Sequence, residues 1–454
     1  MKYANQIAKE TIDKLSALAD ADPERFKKPH HQVGPFVPRE DTEFWCYKCW
    51  VNQLEVPEDG YDLKPFFENM DLHFDLPEGF VPEKTLSLSH ASDLMAVDCI
   101  CDDYTPHVFD DIQDFYLTAD LPTANLESCV YTEAPFGRNQ PPVKPGETKT
   151  KCSPRMNTSV GMLDKFVNAG IKYFSMANNH CFDYNEEGLI ATYNELEKRG
   201  VAHSGTNIRP EDYGSVLVME MNGIRVAQLS STFDINGREC NTPWMIDRVG
   251  YCDNPANIDF IKMQVRKAKE QGADLIILHA HWGWEFEMYP RGCTVELGHQ
   301  LAELGIDVIV GTHPHVTQPM EKYVWNDNGT ERQTLIFYSM GDFLSYHPVS
   351  HNSRVTFIAR YNAVKGSLNG EARTLVTDLK ILPVYILAAA DENEDYDFRV
   401  LRLSTVLNDK PDENGKYQYG LCEWEREDLP RIQEKILHGI ILPKKCDYLL
   451  EEDV

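Results

Sequence analysis

Short apolar runs alternate with amphipathic segments along the middle of the chain, from about residue 86 onward. Each run precedes a polar loop, then a segment whose apolar positions have helical spacing, then a glycine. The predicted helices are Ser159–Ala169, Glu186–Arg199, Ile258–Gln271 and Val295–Leu304, and the predicted strands include Ile171–Met176, Asp274–Leu278, Ile306–Val310 and Leu335–Ser339. This alternation predicts a layered α/β domain.

The helix Val295–Leu304 separates two of the predicted strands, so these strands are expected to form a right-handed parallel crossover. Their following residues, His281 and His315, should then emerge at the same edge of the sheet.

The flanking regions follow a different pattern. Residues 1–85 are rich in proline, acidic and aromatic residues with one predicted helix, Ala8–Leu18, and we interpret them as an N-terminal extension packed on the core.

The core domain is predicted over residues 86–390. Two further predicted strands, Arg354–Tyr361 and Thr374–Tyr385, flank a glycine-containing turn and complete a second sheet layer. An acidic stretch, Asp391–Asp395, predicts a solvated loop that opens a C-terminal extension over residues 391–454.

Composition narrows the possible partners. The 454 residues carry a formal charge of −28, which argues against nonspecific binding of nucleic acid or of an anionic membrane surface. The opening residues do not resemble a signal peptide, and no apolar run is long enough to span a bilayer. We therefore expect a cytoplasmic protein without an integral membrane segment. Its twelve cysteines, including the pair Cys46 and Cys49, are expected to be free thiols.

Two histidines, His313 and His315, follow the apolar run Ile306–Val310 directly. Gly311 is expected to let the chain turn sharply so that both imidazoles point the same way. Taken alone, such a pair is compatible with hydrogen-bonded loop histidines or with a metal site. The decision between them depends on whether other ligand-type residues end other strands.

Five strand ends carry such residues. They are Ser92-Asp93, Asn125-Leu126-Glu127, Asn178-Asn179-His180, His279-Ala280-His281 and Thr312-His313-Pro314-His315. Buried carboxylates and imidazoles would repel one another or stay unpaired there unless a cation lay among them. Mixed oxygen and nitrogen ligands suit Mn, Fe, Zn or Co better than Ca. The set is large enough for two divalent ions, which at a separation of about 3.5–4 Å would clamp a phosphate and activate a water.

The order of these motifs resembles the poly-gamma-glutamate capsule biosynthesis (CapA-like) family of the calcineurin-like metallophosphatase superfamily. The resemblance covers about residues 86–360 and includes His281-Trp282-Gly283-x-Glu285, Gly311-Thr312-His313-Pro314-His315 and Tyr338-Ser339-x-Gly341-Asp342-Phe343. It implies a four-layer αββα sandwich with the site at one end. It also implies that Asp93, Glu127, Asn179, His281, His313 and His315 are metal ligands, with Glu127 bridging the two ions.

The same resemblance makes His180 a catalytic residue that protonates the leaving oxygen, with Asp183 orienting it. Alternatives remain at several positions. His279 shares a strand face with His281, and Asn178 precedes Asn179. Asp93 is alternatively a cap or turn residue, because Ser92 and Asp98 stand where the family usually has Gly and Arg.

Three other positions have a weaker interpretation. Glu285 is either a partner of the site or a surface carboxylate. Asp342 stands where relatives usually carry Asn and would alter the charge near the metals. His347 and His351 are interpreted as polar residues of a mobile loop rather than as part of the pocket. Asn185 replaces a common Gly, which the left-handed backbone region tolerates.

Two functions follow. The first is a metal-dependent hydrolase of a phosphate ester, on a small-molecule or polymer substrate, with a link to poly-gamma-glutamate metabolism implied by the resemblance alone. The second is a non-catalytic, metal-supported binding or assembly protein for an anionic polymer or a partner. His180 favours the enzyme. The substrate, the identity of the metal and the oligomeric state do not follow from the sequence.

Overall fold

The structure is a computed structural model that describes residues 2–28, 42–139, 153–251, 255–345, 347, 350–390 and 395–452. The helices are α1 (Lys2–Ala21), α2 (Thr42–Trp50), α3 (Leu63–Glu68), α4 (Gln113–Tyr116), α5 (Val160–Ala169), α6 (Asn185–Arg199), α7 (Asp259–Glu270), α8 (Gly292–Ala302), α9 (Leu403–Leu407) and α10 (Glu423–Arg431), which continues as a π-helical segment, Ile432–Ile441. The strands are β1 (Val81–Leu94), β2 (Leu121–Leu126), β3 (Gly137–Asn139), β4 (Arg155–Asn157), β5 (Tyr173–Ser175), β6 (Ala202–Ser204), β7 (Leu217–Met221), β8 (Ile224–Thr232), β9 (Leu275–His281), β10 (Val308–Thr312), β11 (Met320–Asp327), β12 (Thr330–Phe337), β13 (Asp342–Leu344), β14 (Val355–Leu368), β15 (Glu371–Ala390) and β16 (Tyr396–Arg402).

Two large sheets form the centre of the molecule. One has the order β16-β15-β14-β1-β2-β5-β6 with β13 also paired to β1, and the other has the order β11-β12-β10-β9-β8-β7. Within the first sheet β1, β2, β5 and β6 run parallel, and within the second β8, β9, β10 and β12 do so. The predicted parallel pairing of the strands that precede His281 and His313 is therefore confirmed.

The sheets pack face to face and helices cover their outer sides. Between the sheets, the Ser175 hydroxyl lies 2.8 Å from that of Ser230, and the His90 ring lies 5.9 Å from the His279 ring. On the outside, α5 packs into the apolar cluster of the first sheet, and α7 and α8 pack into that of the second. This arrangement confirms the predicted α/β fold with two sheets between helical layers.

Local sequence signals explain the ends of the helices beside the site. The Ser159 hydroxyl accepts a hydrogen bond from the amide of Met162 at 3.0 Å, which caps the N-terminus of α5. Gly170 then ends α5 with a φ of 117°. Asn185 begins α6 with a φ of 55°, in the left-handed backbone region that Asn was expected to tolerate at this position. The boundaries of the four predicted core helices are thus confirmed to within three residues, whereas the predicted helix Ala8–Leu18 is part of the longer helix α1.

Both flanking regions contact the two-sheet core. From the N-terminal region, Lys28 and Lys48 form buried ion pairs with Glu287, and the backbone amide of Leu54 donates to the carbonyl of Phe286 at 3.1 Å. From the C-terminal region, β16 pairs with β15, so the first sheet continues beyond residue 390. Most of the predicted acidic loop, residues 391–394, lies outside the described residues.

The predicted strands 354–361 and 374–385 are present as parts of the longer strands β14 and β15. Cys46 and Cys49 lie on α2 as free thiols, and the other cysteines of the described ranges are free as well, as expected. In the part of the chain that the structure describes, we find no helix with the length and apolar character needed to cross a membrane.

Candidate metal centre

The five strand ends that carry ligand-type residues meet between the two sheets. Asp93, Glu127 and Asn179 come from β1, β2 and the loop after β5 in the first sheet. His281 ends β9 and His313 follows β10 in the second sheet. Because these strands are parallel within each sheet, their carboxyl ends face a common space. All of these side chains are buried.

Two carboxylates from the first sheet lie at the centre with unsatisfied oxygens. Asp93 Oδ1 accepts a hydrogen bond from Asn125 Nδ2 at 2.8 Å, whereas Asp93 Oδ2 has no hydrogen-bond partner. Both carboxylate oxygens of Glu127 are buried and without a partner as well. Glu127 Oε1 lies 3.6 Å from His281 Nε2 and 3.8 Å from His315 Nε2. Glu127, from the first sheet, thus lies within 4 Å of two histidines of the second sheet, as expected for a bridging ligand.

Each remaining member of the predicted set also directs a donor atom at this space. His281 Nδ1 is occupied by the Thr312 hydroxyl at 2.9 Å, so its Nε2 faces Asn179 Oδ1, also at 2.9 Å. His313 Nδ1 is buried without a hydrogen-bond partner. One ligand atom from each of Glu127, His313 and His315 lies within 4.8 Å of the others. The structure therefore brings all six predicted ligands together, and their role as ligands stays a prediction.

The alternatives at two positions lie elsewhere. His279 Nε2 bonds to Gln228 Oε1 at 2.9 Å between the sheets, away from the group of ligand atoms. Asn178 Nδ2 donates to the carbonyl of Leu126 at 2.8 Å. Asn178 therefore supports the backbone, whereas Asn179 faces the site.

The expectation for Gly311 was wrong. Gly311 lies inside β10, and a Cβ at this position would stand 2.1 Å from the carbonyl oxygen of Tyr338. The glycine therefore allows close approach of two backbones rather than a turn. The turn itself uses His313 and His315, whose φ angles are 100° and 55°. Positive φ at a non-glycine residue costs on the order of 1–3 kcal/mol, so the neighbouring structure holds this loop.

His180 and Asp183 form a pair beside the ligand atoms. His180 Nδ1 lies 2.7 Å from Asp183 Oδ2, and the other oxygen of Asp183 accepts from the guanidinium of Arg238 at 2.8 Å. The amide of Met156 also donates to Asp183 Oδ2 at 2.7 Å. Asp183 is thus anchored on two sides and fixes the orientation of the imidazole, which leaves Nε2 of His180 for another partner.

Burial controls the protonation of the central groups. It raises the pKa of Asp93 to about 6 and raises the pKa of Glu127 well above its usual range. It lowers the pKa of His313 to about 3 and that of His281 well below its ordinary value. For His315 burial acts in the same direction, but the nearby carboxylates of Glu127 and Asp342 outweigh it and raise its pKa.

This set of donor atoms fits a divalent cation. Each buried polar group without a partner costs about 1–3 kcal/mol, and here several such atoms point at one place. Bound divalent cations would satisfy Asp93 Oδ2, both oxygens of Glu127 and His313 Nδ1, and their charge would favour the ionised carboxylates. Neutral histidines with pKa values below the ordinary range are suited to donate a lone pair.

Comparison with known proteins identifies the family. The model described as "Bacterial capsule synthesis protein PGA_cap" matches residues 87–347, which is more than half of the chain. The chain belongs to the PGA_cap family. The matched region begins within β1 and includes every one of the five strand ends.

Curated relatives have names that agree with this family. The protein is 30% identical over 210 residues to the PGA biosynthesis protein CapA of Bacillus subtilis, covering 45% of this chain and 50% of that protein. It is 25% identical over 247 residues to the capsule biosynthesis protein CapA of Bacillus anthracis, covering 53% and 54%. The chain thus spans about half the length of these relatives. Among solved structures, the calcineurin-like phosphoesterase YfkN from Bacillus subtilis is similar with a TM-score of 0.38 and 15% identity over 66% of this chain and 91% of that chain.

Two residues at the end of the PGA_cap match join the site although the prediction assigned neither of them as a ligand. Asp342 is buried at the start of β13 and lies 2.8 Å from His315 Nδ1 and 2.8 Å from His347 Nδ1. The interpretation of His347 as a loop residue outside the pocket was therefore wrong. His351, in contrast, stacks on Trp424 with ring centroids 4.2 Å apart and lies outside the site.

Two further contacts of the site involve Asn125 and Glu285, and a role as partner of the site was one of the two interpretations given for Glu285. Asn125 joins Asp93 to the loop that carries Asn178, whose Nδ2 lies 3.2 Å from Asn125 Oδ1. Glu285 is half-buried and accepts a hydrogen bond from the indole of Trp45 on α2. Burial would raise the pKa of Glu285, but the nearby His313 and His315 contribute most to outweighing this effect, and the pKa is lowered. The Asn125-Leu126-Glu127 motif was a signal for the first contact, but no local pattern indicates the second.

Proposed function

We propose that the protein is a metal-dependent phosphoesterase that acts through two divalent ions at the strand ends and serves capsule synthesis. The observation that carries the proposal is the pair formed by His180 and Asp183 beside a group of buried donor atoms that lack partners. A site that only bound metal would need the donor atoms but would not need an oriented imidazole next to them.

The ions would be held by the predicted ligand set, with Glu127 between them. They would supply Lewis acidity toward a phosphoryl oxygen and toward water. They would also provide positive charge for an anionic substrate in a chain whose formal net charge is −28. Mixed nitrogen and oxygen donors favour Mn, Fe, Zn or Co.

His180 holds and moves the proton. Asp183 accepts from Nδ1, which directs Nε2 of the imidazole away from the Asp183 carboxylate. A protonated His180 would donate its Nε2 proton to the oxygen that leaves phosphorus, and Arg238 keeps Asp183 from rotating away. A positioned general acid of this kind contributes roughly 10²–10⁴-fold to the rate.

The test is hydrolysis of phenyl phosphate and of diphenyl phosphate by protein loaded with Mn²⁺, because the oxygen that leaves from these esters needs a proton. We expect His180→Ala to lower kcat by about 10²–10⁴-fold while bound metal per chain stays unchanged. His107→Ala is the matched control, because His107 is about half exposed on the surface and forms an ion pair with Asp110 at 2.8 Å. Its kcat should equal that of the parent protein.

Fully loaded protein without turnover of either ester would contradict the proposal. That outcome would favour the second function, a metal-supported binding or assembly protein for an anionic polymer. The names of the relatives support a role in capsule synthesis, and we propose poly-gamma-glutamate as the capsule polymer whose synthesis the protein serves. The cytoplasmic location stays a prediction.

A further inference from the structure

We infer that Asp342 and His347 are direct ligands of one of the two metal ions, together with Asp93 and His315. The inference deepens the proposed function because it concerns the same centre. It assigns a metal subsite to residues outside the predicted ligand set, and it concerns metal binding rather than turnover.

Asp342 lies between the imidazoles of His315 and His347. Asp342 Oδ1 lies 2.8 Å from His315 Nδ1, and Asp342 Oδ2 lies 2.8 Å from His347 Nδ1. One ligand atom from each of these three residues lies within 4.8 Å of the others. A carboxylate that only orients a histidine needs one oxygen for that purpose. Asp342 instead directs both oxygens at ring nitrogens of two histidines.

A second carboxylate comes from the neighbouring strand β1. Asp93 and Asp342 are directly paired where β1 and β13 run in parallel, so the two carboxylates leave the sheet side by side. Asp93 is fully buried, and its Oδ2 has no hydrogen-bond partner and lies 3.7 Å from His315 Nδ1. An unpartnered carboxylate oxygen thus faces the same imidazole nitrogen as Asp342. Two carboxylates and two imidazoles surround one position.

The remaining donor atoms form a second group. Asn179 Oδ1, Glu127 Oε1 and the unpartnered His313 Nδ1 accompany His281 Nε2, which lies 2.9 Å from the Asn179 oxygen and 3.6 Å from the Glu127 oxygen. Glu127 Oε1 also lies 3.8 Å from Nε2 of His315, so it lies within 4 Å of one histidine of each group.

The predicted ligand set alone would give the ion at Asp93 and His315, here called the first ion, only three protein ligands: Asp93, Glu127 and His315. Three protein ligands are fewer than a closed four-coordinate site requires, although an open catalytic site can have three. With Asp342 and His347, the first ion gains a full set of protein ligands of the same mixed character as the second. We therefore expect this ion to be held at least as tightly as the ion at His281 and His313.

The experiment counts Mn²⁺ ions per chain by equilibrium dialysis and elemental analysis of the full-length protein. The parent protein should bind two, and its electron paramagnetic resonance spectrum should show the coupling of a pair. His347→Ala and Asp342→Leu should each bind one ion and give the six-line spectrum of isolated Mn²⁺, because neither replacement offers a ligand atom. His351→Ala is the matched control, since His351 is half exposed, contacts Trp424 and should leave two ions bound.

The stoichiometry separates a ligand from an outer hydrogen-bond partner. Loss of an outer partner costs roughly 10–100-fold in affinity and leaves the number of ions at saturation unchanged. Two ions in both variants at saturating Mn²⁺ would therefore overturn the inference, as would a parent protein that binds fewer than two. The melting temperature in EDTA checks that each variant folds, and Asp342→Leu keeps a similar side-chain size without a ligand atom if His347→Ala does not fold.

Failure of the proposed function gives a different result. A protein that hydrolyses neither ester but whose metal content falls from two ions to one in His347→Ala would refute the phosphoesterase and support this subsite. Ester hydrolysis by a protein whose two variants still bind two ions would support the phosphoesterase and refute this subsite.

Discussion

Glu287 is the centre of a buried charge network that attaches the N-terminal region to the loop after β9. Its carboxylate lies 2.7 Å from Arg291 Nη2, 3.1 Å from Lys48 Nζ and 3.6 Å from Lys28 Nζ. None of these side chains is more than 3% exposed. We expect Glu287→Gln, which keeps the shape but removes the charge, to destabilise the protein strongly.

The expected magnitude follows from burial. Removal of one partner from a buried ion pair costs about 3–5 kcal/mol, because the remaining charge loses its counter-ion without regaining water. Burial already lowers the pKa of Lys28 to about 8, so in the variant Lys28 can release its proton and avoid part of the cost. We therefore take the lower value, about 3 kcal/mol. At about 2.1 cal/mol/K per residue, 454 residues have an unfolding entropy of about 0.95 kcal/mol/K, which converts this loss to about 3 °C in Tm.

The pH dependence gives a second readout. The folded pKa of Lys28, about 8, lies below the unfolded value of about 10.4, so Lys28 is protonated at pH 7 and mostly neutral at pH 9 in the folded protein. A neutral Lys28 no longer attracts Glu287, so the difference in Tm between parent and variant should be smaller at pH 9. The folded state itself gains stability from this group as pH rises from about 8 to about 10.4, since the unfolded chain then holds the extra proton.

The assay is thermal unfolding followed by tryptophan fluorescence in EDTA at both pH values. Glu270→Gln is the control, because Glu270 forms an ion pair with Arg266 at 3.7 Å in which both side chains are at least 66% exposed. An exposed pair contributes about 0–1 kcal/mol, so its Tm should stay within about 1 °C of the parent. Equal Tm values for the two variants at pH 7 would refute the reasoning about the buried network.

Two further predictions concern the strand ends and their helices. Gly311→Ala places a Cβ 2.1 Å from the Tyr338 carbonyl oxygen, and the backbone there cannot move aside as a side chain can. We therefore expect the free energy of unfolding to fall by about 3 kcal/mol or more, measured by Tm, and Mn²⁺ binding to weaken, measured by dialysis. An unchanged Tm would contradict the close approach. Ser159→Ala removes the cap of α5 and should cost about 1 kcal/mol in thermal unfolding, with the number of bound ions unchanged; a lost ion would show that α5 supports the site more directly than its cap suggests.

The elements that lead into the site could be predicted because their signals are local. Gly170 and Gly200 end helices in left-handed conformations, and the apolar runs between helices can satisfy their backbone only as buried strands. Once the strands are parallel, their carboxyl ends share an edge, which is why His281 and His313 could be expected to meet. What the pattern could not predict is that the ligand residues would divide between two facing sheets, which we expected only from the family resemblance.

The errors arose where distant backbones approach each other. Gly311 looks like a turn residue in one dimension, but its requirement comes from the carbonyl of Tyr338, far along the chain. His347 follows Asp342 by five positions, and the pairing of β13 with β1 places Asp342, which contacts His347, beside Asp93. Neither contact leaves a periodic or spacing signal, because each depends on the path of a neighbouring strand rather than on the segment itself.

The N-terminal region illustrates the same limit and connects it to the site. Leu54 pairs through its backbone with Phe286 and Met288, and the amide of Phe286 in turn donates to the carbonyl of Pro314 at 2.8 Å. Pro314 lies between the two histidines whose positive φ angles need support. A continuous set of backbone hydrogen bonds therefore leads from the N-terminal region to the strained loop. Local unfolding of the N-terminal region would therefore remove the Leu54 hydrogen bonds from the segment whose Phe286 amide holds the loop.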